Sequence, residues 1–159
     1  MNTPWRIPES ALIVIYDTAG QVLVLQRNDD PLFWQSVTGT REPDELPHQT
    51  ALREVLEETG IDITAKGYQL IDCQQSNQYP IRDCWRHRYP PDTSINTEYV
   101  FALQVAYKQA ITLTEHSDYL WLSKSQAIEK VWSDTNKDAI RRFVPASAAD
   151  HLLYSESSN

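Results

Sequence analysis

The sequence predicts an α+β fold, and three observations carry that expectation. Two short β-rich runs, Ala11–Tyr16 and Val22–Leu25, are separated by Asp17, Thr18, Ala19 and Gly20, which reads as a hairpin. A segment between Pro47 and Gly60 has the apolar spacing of an amphipathic helix, with proline suited to its first turn and glycine to the left-handed position past its end. Near the C-terminus, Ser123 and Gln126 fit a capping box opening a helix that ends near Trp132, and Ser133 or Asp134 can cap another running to Val144.

Between the central helix and the late helices lie further strand candidates: Tyr68–Cys73, Cys84–Arg88, Glu98–Val105 and Tyr119–Leu122. On the central helix, at about 100° per residue, Glu54, Glu58 and Glu57 fall at about 0°, 40° and −60° and so share a face. Val55, Leu52 and Leu56 lie on the opposite side, which is expected to pack on a core. Residues 1–145 read as a single domain, and Pro145 opens a polar, Ser-rich tail over 146–159 that is expected to be partly disordered. There is no internal repeat.

A chain of 159 residues can bury a sizeable core without disulfides or a structural metal. Its net charge of −8 argues against nonspecific binding to nucleic acid or to an anionic membrane, leaving small molecules as the expected partners. Cys73 and Cys84 have no CxxC spacing and read as reduced thiols of a cytoplasmic protein, a single disulfide being the other reading. The N-terminus lacks the basic region and apolar run of a signal peptide, and no stretch approaches the 18 apolar residues of a membrane span. Oligomeric state is left open.

The chemistry is concentrated in residues 39–61, where Gly39, Glu45, Arg53, Glu54, Glu57, Glu58 and Gly60 stand at the spacing G-x5-E-x7-R-E-U-x-E-E-x-G-U, with Val55 and Ile61 at the apolar positions. At residue frequencies of roughly 5 to 8% a chance match has odds of about one in 10^8 per starting point, so the pattern is read as function. Like charges on one helix repel by roughly 0.2 to 0.5 kcal/mol per pair in water, and by more where water is excluded. A hard divalent cation reverses that sign, and magnesium accepts incomplete protein coordination completed by water and phosphate oxygens. Arg53 precedes Glu57 by one helical turn and can hold it. An isolated E-x-x-E-E is usually a solvated helix face; the full spacing argues otherwise.

This motif resembles the signature of the Nudix family, hydrolases that cleave diphosphates linked to another moiety using magnesium or manganese. The resemblance implies an α/β/α sandwich around a mixed central sheet, with the motif as a loop, helix and loop and the Gly39 backbone near the metal. Shorter segments, Leu25–Arg27, Phe33–Gly39, Leu70–Cys73, Arg86–Tyr89, Asn96–Glu98 and Thr114–His116, resemble a subfamily of these hydrolases. Its members remove pyrophosphate from dihydroneopterin triphosphate in folate synthesis, leaving the monophosphate, and also hydrolyse dATP. The likeness runs from about Trp5 to Val144.

By that resemblance Glu54 and Glu58 correspond to metal ligands, and Glu115 to a further carboxylate from a later loop; read alone, Glu115 is a surface glutamate. Glu57 either binds metal or pairs with Arg53, and Glu45 either supports the motif loop or is a helix N-terminal acid. The base that takes the water's proton is Glu115 or Glu57. Arg6 and Arg27 correspond to phosphate or head-group contacts, Thr38 can donate a hydroxyl hydrogen bond, and Tyr79, Pro80, Ile81 and Arg82 fall in the substrate-contacting segment. The polar character of that segment puts pterin specificity in question.

Arg82, Arg86, His87 and Arg88 form a basic island that either neutralises a triphosphate or is the polar face of an exposed strand. In a strand Arg86 and Arg88 would share a face and His87 would point away. Trp34 reads as structural support, and neither His87 nor His116 is a first choice for catalysis. The leading function is a pterin triphosphate pyrophosphohydrolase. A broader nucleoside triphosphate hydrolase and a non-catalytic nucleotide-binding module are the alternatives, the latter disfavoured by the intact motif.

Overall fold

The computed structural model describes residues 5–146, and of the tail expected over 146–159 all but residue 146 lies outside them. The elements in chain order are β1 (Glu9–Asp17), β2 (Val22–Arg27), β3 (Trp34–Gln35), β4 (Val37–Thr40), α1 (Pro47–Thr59), α2 (Ile63–Lys66), β5 (Leu70–Pro80), a 3-10 helix (Asp83–Arg88), β6 (Ile95–Val105), β7 (His116–Leu122), α3 (Lys124–Lys130) and α4 (Asp134–Phe143). The strands form one 7-stranded mixed sheet. Its parallel pair is β1 with β6, in register from Glu9 opposite Thr97 to Asp17 opposite Val105.

The β1–β2 turn is built by Asp17, whose carboxylate accepts from the backbone N–H groups of Ala19 and Gln21, both at 2.9 Å. Gly20 follows with φ of 83°, a conformation that glycine adopts without steric cost. The expected hairpin is then short-lived: the only registered pair is Tyr16 with Val22. Beyond it β1 takes β4 and β6 as neighbours and β2 takes β7 and β3. Buried strands need backbone hydrogen-bond partners along both edges, and β4, β6, β7 and β3 supply them to β1 and β2.

Two cores result, one on each face of the sheet. Ile13, Leu23, Leu25, Phe101 and Leu103 pack under Ala51 and Val55 of α1. Leu12, Val14, Val24, Val100 and Ala102 pack under Ala127 of α3 and Ala139 and Ile140 of α4. Each fully buried Val, Leu or Ile contributes about 1.5–3 kcal/mol relative to exposure. Ser123 caps α3 in a capping box with Gln126, and Ser133 caps α4 by accepting from Asn136 N. The late helices therefore start where their hydroxyls predict.

Three expectations need correction. Residues 84–88 are not a strand: β5 and β6 pair down to Pro80 opposite Ile95, so the residues between close that pair as a loop and have no strand to join. The alternation proposed for Arg86, His87 and Arg88 falls with it. Strand β5 runs seven residues beyond Cys73, to Pro80. Its polar stretch from Gln74 to Gln78 was missed because β5 is the terminal strand of the sheet order and need not be apolar. Finally, Leu56 is 47% exposed while Ala51 and Val55 are fully buried. The buried stripe of α1 runs through Thr50, Ala51, Val55, Glu58 and Thr59, so it adjoins the carboxylate face and does not oppose it.

Candidate active site

Helix α1 begins at Pro47 after Leu46, whose N–H is accepted by the Gln49 side chain at 2.8 Å, and ends at Gly60 with φ of 77°. The acidic residues ahead of it do not cap it. Glu45 instead turns back to Arg53, which donates Nε to Glu45 Oε2 at 2.6 Å and Nη2 to Oε1 at 2.9 Å. Arg53 also donates to Glu54 Oε1 at 2.7 Å, to Glu57 Oε2 at 3.2 Å and to the Thr40 carbonyl at 2.9 Å. One guanidinium thus ties the motif loop, the end of β4 and the carboxylates of α1 together. Its hydrogen bond holds the Glu45 carboxyl down at about 2.

Glu54 and Glu58, one turn apart, face a cavity of about 1020 Å³. Burial raises the pKa of Glu54 against the opposing charge of Arg53. Burial, and next the charge of Glu54, push Glu58 well above the usual carboxylate range. Glu58 Oε2 is buried with no hydrogen-bond partner, as is Nδ1 of His116, whose Nε2 lies 3.5 Å from Glu58 Oε1. Burial lowers the His116 pKa, favouring neutral imidazole. Gly39 closes against this pair: a Cβ there would sit 2.0 Å from Glu54 Cδ, so only glycine lets the β4 backbone approach the carboxylate.

This donor set fits a divalent cation. Two adjacent carboxylates, one with an orphaned buried oxygen, are destabilised as a bare pair and would be neutralised by a hard ion beside the Gly39 backbone. Among the described residues no group of three or more His, Cys, Asp or Glu side chains is gathered to hold a metal. Two carboxylates leave coordination positions of a divalent ion open to water and phosphate oxygens.

Glu115 reaches the cavity from the loop before β7. That loop is fastened to the end of α1 by Thr112 N donating to Thr59 O at 2.8 Å and Thr114 Oγ1 donating to Glu57 O at 2.6 Å. Asn28 Nδ2 donates to the Glu115 carbonyl. Glu57 does not line the cavity; its side chain is about half exposed and turned to Arg53. The remaining residues singled out in the sequence, Arg6, Arg27, Thr38, Gly39, Tyr79, Pro80, Ile81 and Arg82, all line it. Arg6 is placed by its N–H donating to the Arg88 carbonyl at 2.7 Å. Arg27 is paired with Asp29 through two hydrogen bonds of 2.7 and 2.6 Å and lies 5.2 Å from the Trp85 ring centroid.

Of the basic island, Arg82 and Arg88 reach the cavity while Arg86 and His87 do not. Arg82 lies 4.9 Å from the Trp85 ring and 5.9 Å from that of Trp132, which stacks on Phe33 at 4.7 Å. Trp34 is in the core. Sequence reasoning missed His116, set aside as an ordinary histidine although adjacent to Glu115, and it missed Trp85 and Trp132; Asn96 and Glu98 stood in a segment that resembles the subfamily but were given no role at the site.

Comparison with known proteins agrees with this geometry. The NUDIX domain matches residues 6–145. The chain is 46% identical over 144 residues to dihydroneopterin triphosphate diphosphatase of Escherichia coli strain K12, covering 88% of this chain and 94% of that protein. It is 42% identical over 138 residues to the Haemophilus influenzae protein of the same name, covering 86% and 87%. The structure of the E. coli dihydroneopterin triphosphate pyrophosphohydrolase superposes with a TM-score of 0.83 at 45% identity, covering 88% of this chain and 97% of that one. Motif, sheet and relatives converge: the chain is a member of the Nudix hydrolase family.

Proposed function

We propose that this protein hydrolyses dihydroneopterin triphosphate to the monophosphate and pyrophosphate, and accepts dATP and related nucleoside triphosphates, with residues 1–145 as its catalytic domain. The observation that carries the reading is the half-buried Glu54 and buried Glu58 facing a cavity that is also lined by Arg6, Arg27, Arg82 and Trp85. The names of the similar proteins supply the pterin substrate. Magnesium, or manganese in its place, is the proposed ion, and the unpaired thiols of Cys73 and Cys84 fit a cytoplasmic setting.

Glu54 and Glu58 would hold the divalent ion together with the Gly39 backbone, and Arg53 keeps Glu54 in place. When bound, the ion supplies charge neutralisation on the phosphates and lowers the pKa of water. Arg6, Arg27 and Arg82 offer cationic donors to phosphate oxygens, and Thr38 a hydroxyl. Glu115 is assigned as the base over Glu57, because it lines the cavity and Glu57 is engaged by Arg53 outside it. Water's oxygen bonds to the α-phosphorus, its proton passes to Glu115, and the bridging oxygen departs with pyrophosphate.

Hydrolysis of dihydroneopterin triphosphate, dATP and dGTP with magnesium or manganese in ¹⁸O-water tests the reading. Equal amounts of monophosphate and pyrophosphate are expected, with the label in the monophosphate. Stepwise release of phosphate, or label in pyrophosphate, would overturn it, and no product from any triphosphate would leave a binding module.

A further inference from the structure

The cavity wall on the α3 and α4 side of the sheet carries a buried carboxylate that the hydrolytic chemistry does not use. Glu98 lies on β6, 4% exposed, and lines the cavity. It shares a strand face with Val100 and Ala102, the face covered by α3 and α4, whereas α1 with Glu54 and Glu58 covers the other. A carboxylate offers about four lone-pair sites; Glu98 accepts from Asn77 Nδ2 at a long 3.4 Å, and the Thr135 and Tyr79 hydroxyls are its other neighbouring donors. Burial raises its pKa, an effect offset in part by Thr135, Asn77 and Tyr79. With about four lone-pair sites and three neighbouring side-chain donors, the carboxylate keeps acceptor capacity for a donor entering from the cavity.

Asn96, also 4% exposed, stands beside it at the i−2 position of the same strand and points to the same side. Its Nδ2 donates to Ser10 Oγ at 2.8 Å and to Tyr79 Oη at 3.1 Å, which leaves Asn96 Oδ1 as an acceptor. The other buried amide of this region is fully engaged: Asn136 Oδ1 accepts from Ser36 N at 2.8 Å and its Nδ2 donates to Ser36 Oγ at 2.9 Å. Glu98 and Asn96 Oδ1 are thus the acceptors that this wall offers to a ligand.

We propose that Glu98, with Asn96 beside it, is a specificity-determining subsite that reads the exocyclic amino group of a planar nitrogen heterocycle. The inference rests on the proposed reading of the site, because it takes the phosphates to lie toward Glu54 and Glu58 and the head group to point away from them. An amino group supplies two N–H donors and a carboxylate accepts them with charge assistance. Pterins and guanine carry such a group at position 2 and adenine at position 6, whereas hypoxanthine has none. A site built to accept a hydrogen bond discriminates strongly against the analogue lacking the donor, since its buried acceptor is then left unpaired.

The test uses the full chain and monophosphates, so that it does not depend on turnover. Binding of dAMP, dGMP and dIMP is measured by calorimetry for the unaltered protein and for Glu98→Gln, with thermal melting as a folding control. At least one amino-bearing nucleotide is expected to bind roughly tenfold or more tightly than dIMP, and which one does so identifies the amino position read. In Glu98→Gln that advantage should fall several-fold while dIMP binding stays the same. Equal affinity of dAMP, dGMP and dIMP for the unaltered protein overturns the inference, even if the variant does not fold. An advantage that survives Glu98→Gln unchanged overturns it too. Failure of triphosphate hydrolysis would instead strike the proposed reaction and leave these affinities to be read on their own.

Discussion

The two ends of the cavity are built in different ways. At the motif end, Gly39, Glu45, Arg53, Glu54 and Glu58 come from β4, one loop and one helix, and Arg53 hydrogen-bonds to Glu45, Glu54 and the Thr40 carbonyl. At the inner end, Ser10, Tyr79, Asn96, Glu98 and Thr135 come from β1, β5, β6 and α4, brought together only by sheet pairing and helix packing. The contrast separates a compact catalytic cassette from a head-group wall assembled by the whole fold. Changes at the first should act on turnover, and changes at the second on which molecule is accepted.

The largest effect is expected for Glu58→Gln, which should lower metal-dependent turnover by about a thousandfold or more if Glu58 holds the ion. The same change should not weaken the metal-free fold. Glu58 has a folded-state pKa raised by burial, so its contribution to stability is fullest below the unfolded carboxylate value and is lost as pH rises through the folded one. Metal-free protein should therefore lose stability as pH rises, added magnesium should restore it, and Glu58→Gln should flatten both trends. Melting curves with magnesium or chelator across pH check this, and a variant less stable than the parent at neutral pH would contradict it.

Gly39→Ala comes next. The new Cβ would strike Glu54 Cδ at 2.0 Å, and because that atom is on a flexible side chain, the carboxylate should move and the fold should hold. A misplacement of about 1 Å costs on the order of a hundredfold in rate. Turnover should fall by that much with little change in melting temperature; a loss of fold of comparable size would place the role of Gly39 in structure alone.

A smaller effect is expected at acid pH. The Glu45 carboxyl is held at about 2, first by the Arg53 hydrogen bond, so its contribution to stability is present above the unfolded carboxylate pKa and is lost as pH falls toward 2. Glu45→Gln should remove that part of the acid sensitivity, read as a shallower loss of stability between about pH 4.5 and 2. The mildest change is Arg82→Ala, at the outer wall, where the guanidinium meets Trp85, Phe33 and Trp132. Its KM should rise several-fold with kcat nearly unchanged, as for a group that contributes uniform binding. A loss confined to kcat would move Arg82 into the cassette and blur the contrast between the two ends.

The same contrast governs what could be read without coordinates. Spacing within one helix puts Glu54 and Glu58 on a common face whatever the rest of the chain does, and hydroxyls at Ser123 and Ser133 mark helix starts by local hydrogen bonds. Family resemblance added the expectation of a sandwich around a mixed sheet, which the seven strands and two cores bear out. Trp85, by contrast, sat in a run that reads as a strand by composition and proved to be 3-10 helix, because β5 and β6 already satisfied each other.

By itself the sequence determined that Glu54, Glu57 and Glu58 share a helix face, which is a matter of helical periodicity, and the resemblance of the motif to the Nudix family supplied the reaction class. Only the tertiary structure decided that Glu57 turns outward to Arg53, that His116 meets Glu58, and that Glu98 and Asn96 face the cavity. Those positions depend on which strands pair and which faces are covered, and such long-range contacts leave no mark in the spacing of neighbouring residues.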